Sequence, residues 1–415
     1  DHYPAPFKLI ELFRDYGDNY DRMAAAETVE FAPLMISETS KNLRRVFHLS
    51  EQLKAQALRD AFKPLRVHVI GAGTMGGDIA AWCVVCGMQV SLQDMSVEQV
   101  ESARVRAKKL FRKRLKKKVA VEAAMDRLVA DVSGKHVNRA DVIIEAIVEN
   151  LEIKQKVFKG LENQIKPGAV LATNTSSLKL EDIAEPLQNP ERLIGLHFFN
   201  PVAQLPLVEV IHGEETSQEE IDKGAAFVTA IKKFPLITKS SPGFLVNRVL
   251  APYMFSAMDR YQSGVPREKI DQAALKFGMP MGPLELCDVV GLDICQKVAE
   301  ILGFTPSDES EVTRLVKNGK LGKKTGEGFY VWSDGKPEKE DVTFADEELD
   351  ELGLELIKPL LEECKKCLDE KIVENEDMVD AGVIFGTGFA PFRGGPLHFR
   401  SSLAGIKLIS QSAAE

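Results

Sequence analysis

Two rhythms of apolar and polar positions divide this chain near residue 240. Before that point six short apolar runs read as buried strands: PLRVHVI from Pro64, QVSLQD from Gln89, ADVIIEAI from Ala140, GAVLATN from Gly168, RLIGLHFF from Arg192 and LPLVEVI from Leu205. Helical periods separate most of them, as in KQKVFKGLENQI, and a strand-helix-strand unit opens the series at Lys63. This alternation predicts an α/β domain over 63–240 whose mostly parallel sheet is covered on both faces. The breakers Ser240-Ser241-Pro242-Gly243 close it, and the pattern then turns helical, in FLVNRVLAPYMFSAMDRYQSG and REKIDQAALKFG. Within this half EKIDQAALKFGMPMGPLEL resembles DMVDAGVIFGTGFAPFRGGPLHF in its aspartate, its paired Gly and Phe, and its closing Gly-Pro-Leu. The repeat predicts two related all-helical lobes, over 241–345 and 346–415. Residues 1–62 are polar and mostly helical in pattern, and read as a linker or the remnant of a preceding domain.

Composition narrows the function classes. A chain of 415 residues with 44% hydrophobic composition can bury a substantial core. Its net charge of −9 argues against general nucleic-acid binding, and no run of 18 apolar residues is present to span a membrane. Six cysteines do not make a disulfide framework, so a reducing compartment is the simpler reading. A bacterial-type cytoplasm is the expected location. Mitochondrion and peroxisome stay open, because the opening DHYPAPFKLIELF, without an initiator methionine, reads as cut from something longer. The CxxC pairs Cys83–Cys86 and Cys364–Cys367 lie in helical stretches, where packing accounts for them better than a metal, and no metal is expected.

Gly71-Ala72-Gly73-Thr74-Met75-Gly76 follows one predicted strand and opens a predicted helix. In that context Gly71 permits the tight turn, Gly73 lets backbone approach a pyrophosphate, and Gly76 lets helix pack on strand. Asp94 ends the next strand 18 residues later, near the spacing of an acid that binds a ribose. A carboxylate there accepts from both ribose hydroxyls and repels a 2′-phosphate, which favours NAD over NADP. The alternative is a glycine-rich turn without ligand.

The stretch IGLHFFNPVAQLPLVEVI places His197 and Glu209 in apolar strands, with Glu209 sharing a face with Leu205, Leu207 and Ile211. A lone carboxylate on such a face is costly unless paired. Of seven histidines, only His197 lies in a core strand downstream of the glycine turn with a carboxylate in the next strand. Such a pair suits the removal of an alcohol proton, with Glu209 fixing the tautomer of the base. The bland alternative is a satisfied core histidine.

In order, GAGTMG, EAIVENLEIK, TNTSSL, HFFNP, LVEVI, SPGFLVNR and PMGPLEL closely resemble the L-3-hydroxyacyl-CoA dehydrogenases of fatty-acid β-oxidation over roughly residues 63–300. The second helical lobe and the opening HYPAP resemble the multifunctional α-subunit type, in which an enoyl-CoA hydratase domain comes first. The resemblance implies a Rossmann-type NAD domain, an acyl-CoA substrate, a thiolase subunit as partner, and self-association. It implies His197 as catalytic base, Glu209 as its partner, and Ser176 with Asn247 holding the substrate's 3-oxygen. Gly71, Gly73, Thr74, Met75, Gly76 and Asp94 would bind the cofactor's adenosine and phosphates; Glu149, Lys154, Asn174 and Asn200 would line its ribose and nicotinamide end. Each has a structural alternative: Ser176 as a helix cap, Asn247 as packing, and Glu149 with Lys154 as a solvated pair. The basic run RVRAKKLFRKRLKKK, 104–118, reads as a solvated helix face or as an attractor of CoA phosphates. Two other readings stay open: an idle NAD-binding or structural protein on the same fold, and a hydroxy-acid dehydrogenase that uses a lysine as base.

Overall fold

The computed structural model describes residues 2–58, 62–304 and 310–403. They divide into two compact units, one of Gln52–Arg248 with Cys367–Met378, the other of Asp1–Glu51, Val249–Lys366 and Val379–Glu415. The first unit holds an eight-stranded sheet: β1 (Arg66–Ile70), β2 (Gln89–Gln93), β3 (Leu128–Ala130), β4 (Val142–Glu145), β5 (Val170–Thr173), β6 (Leu193–Phe198), β7 (Leu207–His212) and β8 (Phe234–Lys239). Their order is β3-β2-β1-β4-β5-β6-β7-β8. Every neighbouring pair is parallel except β6 and β7.

Period-two alternation sorts the strand residues onto two faces. Val142, Ile144, Val170, Ala172, Ile194 and Leu196 join one core cluster, whereas the intervening Ile143, Leu171 and Leu193 join the other. The two strands absent from the sequence reading have physical reasons to be faint. β3 has only three residues, two of them exposed, and β8 carries Pro235, which suits the sheet edge it occupies.

The second unit is helical, apart from a short hairpin of Trp332–Ser333 with Lys336–Pro337. Here the repeat becomes a shared device. In the first copy Asp271, on the helix Arg267–Phe277, accepts from the amides of Leu284 (3.0 Å) and Glu285 (3.2 Å) at the start of the helix Pro283–Val290. In the second, Asp380, on the helix Glu376–Thr387, accepts from Leu397 (2.7 Å) and His398 (3.3 Å) in the helical turn that opens at Pro396. A Cβ on Gly282 or Gly395 would collide with the respective aspartate, so the Gly-Pro-Leu signature leaves room for the carboxylate that caps it.

The N-terminal segment, expected as a linker or remnant, forms the helices Pro4–Tyr16 and Tyr20–Ile36 and starts a third, Glu38–Ala55. Within the helical unit the Asn42 amide donates to the Phe392 carbonyl (2.8 Å), and Arg45 Nη2 donates to Asp380 Oδ2 (2.8 Å). Burial pushes the Asp380 carboxyl up to about 6, against the opposing pull of Arg45 and the two amides. An acid whose folded pKa is raised stabilises the fold at low pH, and that contribution is lost as pH rises through about 6. The urea midpoint of the wild type relative to Asp380→Asn is therefore expected to fall between pH 4.5 and pH 7; an unchanged difference would show that Asp380 titrates at its ordinary value.

Candidate active site

The functional side chains gather where the parallel strands end. Gly71 follows β1, Asp94 follows β2, Glu145 ends β4, Asn174 to Ser176 follow β5, and His197 to Asn200 close β6. In open α/β sheets ligands bind beyond these carboxyl ends, at the point where strand order reverses.

At the glycine turn, Gly71 has a φ of +102°, and a Cβ there would lie 2.5 Å from the Ala146 carbonyl oxygen. A Cβ on Gly76 would strike the Gly71 carbonyl, whereas one on Gly73 would meet nothing within 4 Å. The backbone at Gly73 thus faces open space, beside a helix, Thr74–Val85, whose N-terminus carries no side-chain cap. Free amides, open space and a helix dipole fit a pyrophosphate. Asp94 Oδ2 accepts from the Ala72 amide (2.7 Å) and Oδ1 from the Ser96 amide (3.1 Å), so this carboxylate ties the turn to β2. The remaining lone pairs are available to hydroxyls. Arg106, from the basic run, donates to the Gly73 carbonyl (2.9 Å) and fastens the turn from the helix Val97–Leu115.

Behind the turn lies an ion cluster that the sequence reading only half found. Lys154 is fully buried, with Nζ 2.8 Å from Glu145 Oε1, 3.0 Å from Glu145 Oε2 and 3.3 Å from Glu149 Oε2. Glu149 and Lys154 are therefore not a solvated pair. Glu145 was missed, although a carboxylate inside the apolar ADVIIEAI carries the same signal that marked Glu209. It also accepts from Thr173 Oγ1 (2.7 Å) and the Ile147 amide (2.7 Å). Glu149 Oε1 accepts from Thr175 Oγ1 (2.5 Å) and the Ser176 amide (2.9 Å). Burial alone would raise the Glu149 pKa, but Lys154 and these two donors outweigh it and hold the carboxyl below its ordinary range.

Ser176 is thus placed by Glu149 rather than by capping the helix Leu180–Ala184, and its carbonyl accepts from Asn247 Nδ2 (3.1 Å). Asn174 Oδ1 accepts from the Phe198 amide (2.9 Å) and so fixes the end of β6. Asn200 is exposed, at the cis Asn200-Pro201 bond.

His197 and Glu209 are direct cross-strand partners in the antiparallel β6–β7 ladder. Nδ1 lies 2.7 Å from Glu209 Oε2, and Glu209 is completely buried. Its other oxygen accepts from the amides of Leu245 (3.0 Å) and Val246 (3.1 Å), so both oxygens are committed. Phe199 packs edge-on against the imidazole at 4.5 Å, and Phe244 at 5.6 Å. Residues 244–247 therefore serve both halves of the site: Phe244 on the ring, two amides on its carboxylate, and Asn247 on Ser176.

Fold and site together define a dinucleotide-binding α/β enzyme with a carboxylate-backed imidazole near the end of β6, three strands along the sheet from the glycine turn after β1. The family described as 3-hydroxyacyl-CoA dehydrogenase, NAD binding domain, matches residues 66–241, and its C-terminal domain matches 243–332. The chain belongs to the 3-hydroxyacyl-CoA dehydrogenase family. It is 36% identical to the fatty acid oxidation complex subunit alpha of Vibrio vulnificus, over 99% of this chain and 61% of that protein. It thus spans about three fifths of the length of the curated relatives it matches. Among solved structures, 3-hydroxybutyryl-CoA dehydrogenase from Escherichia coli aligns with a TM-score of 0.71 and 27% identity, covering 82% of this chain and 92% of that one. The (S)-3-hydroxybutyryl-CoA dehydrogenase PaaH1 from Ralstonia eutropha is 33% identical with a TM-score of 0.60, covering 66% and 100%.

Asp94 yields a specificity test. The wild type is expected to bind NADH more tightly than NADPH by at least about tenfold, roughly 1.4 kcal/mol, and Asp94→Ser to narrow that ratio in a fluorescence titration. Equal affinity of the wild type for both would remove the role of the carboxylate.

Proposed function

We propose that this chain oxidises (S)-3-hydroxyacyl-CoA to 3-ketoacyl-CoA with NAD, and that His197 is the general base. The single observation that carries this reading is the 2.7 Å bond from His197 Nδ1 to a fully buried glutamate. A carboxylate only accepts, so Nδ1 holds the ring proton and Nε2 keeps its lone pair for the substrate hydroxyl. As the proton arrives on Nε2, the imidazolium forms against the negative charge of Glu209, which the amides of Leu245 and Val246 keep in place. Bound NAD supplies the hydride acceptor. Ser176 and Asn247, tied to one another, hold the 3-oxygen and polarise it. Phe199 and Phe244 screen the imidazole from water.

A lysine-based hydroxy-acid mechanism has less support, because Lys154 is engaged by two carboxylates. The exposed Lys108, Lys109, Arg112 and Lys113 suit the CoA phosphates. No described helix is long and apolar enough to cross a membrane. We extend the proposal to a thiolase subunit as partner and to a cytoplasmic location; the description of the Vibrio relative as a complex subunit supports the partner. The test is NADH consumption with acetoacetyl-CoA. Turnover by the folded protein is the expected result, and its absence in a protein that binds NADH would overturn the reading.

A further inference from the structure

The loop between β6 and β7 carries Asn200, and three of its carbonyls are held by cations that meet on one indole. Lys233, just ahead of β8, is buried and donates from Nζ to the carbonyls of Val202 (2.6 Å) and Leu205 (2.5 Å). Arg114 Nη2, from the basic run, donates to the carbonyl between them, Ala203, at 2.5 Å. Both cations lie over the Trp82 ring, Lys233 Nζ at 4.9 Å from its centroid and Arg114 Cζ at 5.6 Å. The indole is itself fixed, its Nε1 donating to the Ile231 carbonyl at 2.9 Å.

No described carboxylate pairs with Lys233. Around the ammonium stand the thiols of Cys83, on the helix Thr74–Val85, and of Cys86, which ends that helix, with the guanidinium of Arg114; burial brings its pKa down to about 8. A buried cation without a counter-ion is unfavourable for stability, and an apolar side chain of similar length would fill the space. What the ammonium adds is a pair of charge-assisted bonds to the loop.

We infer that Lys233, braced with Arg114 on Trp82, is a positioning residue: it fixes the 200–206 loop and thereby sets Asn200 at the nicotinamide end of the cofactor. The inference rests on the proposed reading of Asn200. Lys233 acts through the loop, so its removal is felt at one end of the dinucleotide and not at the other. The adenosine end, held by Asp94 and the Gly71–Gly76 turn, is built from β1 and β2 and does not involve this loop.

The test compares NADH with ADP-ribose, which has the adenosine and phosphates but no nicotinamide. Lys233→Met is expected to weaken NADH binding about tenfold, the scale of one charge-assisted bond pair, and to leave ADP-ribose within about twofold. It should also lower kcat for acetoacetyl-CoA with little change in its KM, and Lys233→Arg should restore most of the loss. If Lys233→Met does not fold by circular dichroism, Arg114→Gln reads the same split through the Ala203 carbonyl. Equal weakening of both ligands, or no weakening of either, overturns the inference. A wild type that fails to turn over acetoacetyl-CoA while the NADH to ADP-ribose split holds would defeat the activity reading and leave this one standing.

Discussion

Replacing His197 with glutamine is expected to lower the rate of acetoacetyl-CoA reduction by about 10³-fold, within the range general acid–base catalysis contributes, while NADH still binds. Glutamine keeps a polar group of similar reach in the strand but can neither take a proton from the hydroxyl nor give one to the 3-keto oxygen at neutral pH. Glu209→Gln is expected to cost at least about 10²-fold for a different reason. The glutamine oxygen can go on accepting from the amides of Leu245 and Val246, which turns its NH2 toward the imidazole. Nδ1 must then accept, so the ring is held neutral with its one proton on Nε2, and the imidazolium that must give a proton to the 3-keto oxygen has lost its stabilising carboxylate. Stopped-flow measurement of NADH loss across pH separates the two variants. Rates in both within about threefold of wild type would remove the pair from the reaction.

The second large effect is on stability. Lys154→Met is expected to destabilise the fold by about 3–5 kcal/mol, the scale for breaking a buried ion pair, because Glu145 is left charged and fully buried and Glu149 loses its counter-ion. The urea midpoint reads this directly. Adding Glu145→Leu should recover a substantial part, since the uncompensated charge is then removed along with its partner. A single variant as stable as wild type would mean that the cluster opens to water.

Much of the sheet was readable because strands covered on both faces read as short continuous apolar runs, and Val142, Ile143 and Ile144, which divide between two core clusters, are one instance. His197 and Glu209 stood out as polar positions in apolar runs, and their partner strands are adjacent in sequence. Glu145 carried the same anomaly but pairs with Lys154 on a following helix, nine residues on, where no strand alternation leads the eye. Lys233 was hidden differently: beside Lys232 at a turn it resembles a solvated pair, and its burial depends on Trp82, about 150 residues earlier. The repeated aspartate was visible as a pattern, yet its capping role needed the three-dimensional meeting with Gly-Pro-Leu. The division of the chain into units was least legible, since the first fifty residues join the helical unit through contacts to residues beyond 370.

The antiparallel pairing of β6 with β7 has a further consequence. His197 meets Glu209 because the ladder aligns them, and a slip of one residue would turn the glutamate to the opposite face of the sheet. If the pair acts as proposed, a chain refolded with that slip is expected to lack activity even where its other elements re-form. The ratio of active sites to folded molecules after refolding therefore measures the fidelity with which these two strands find their register.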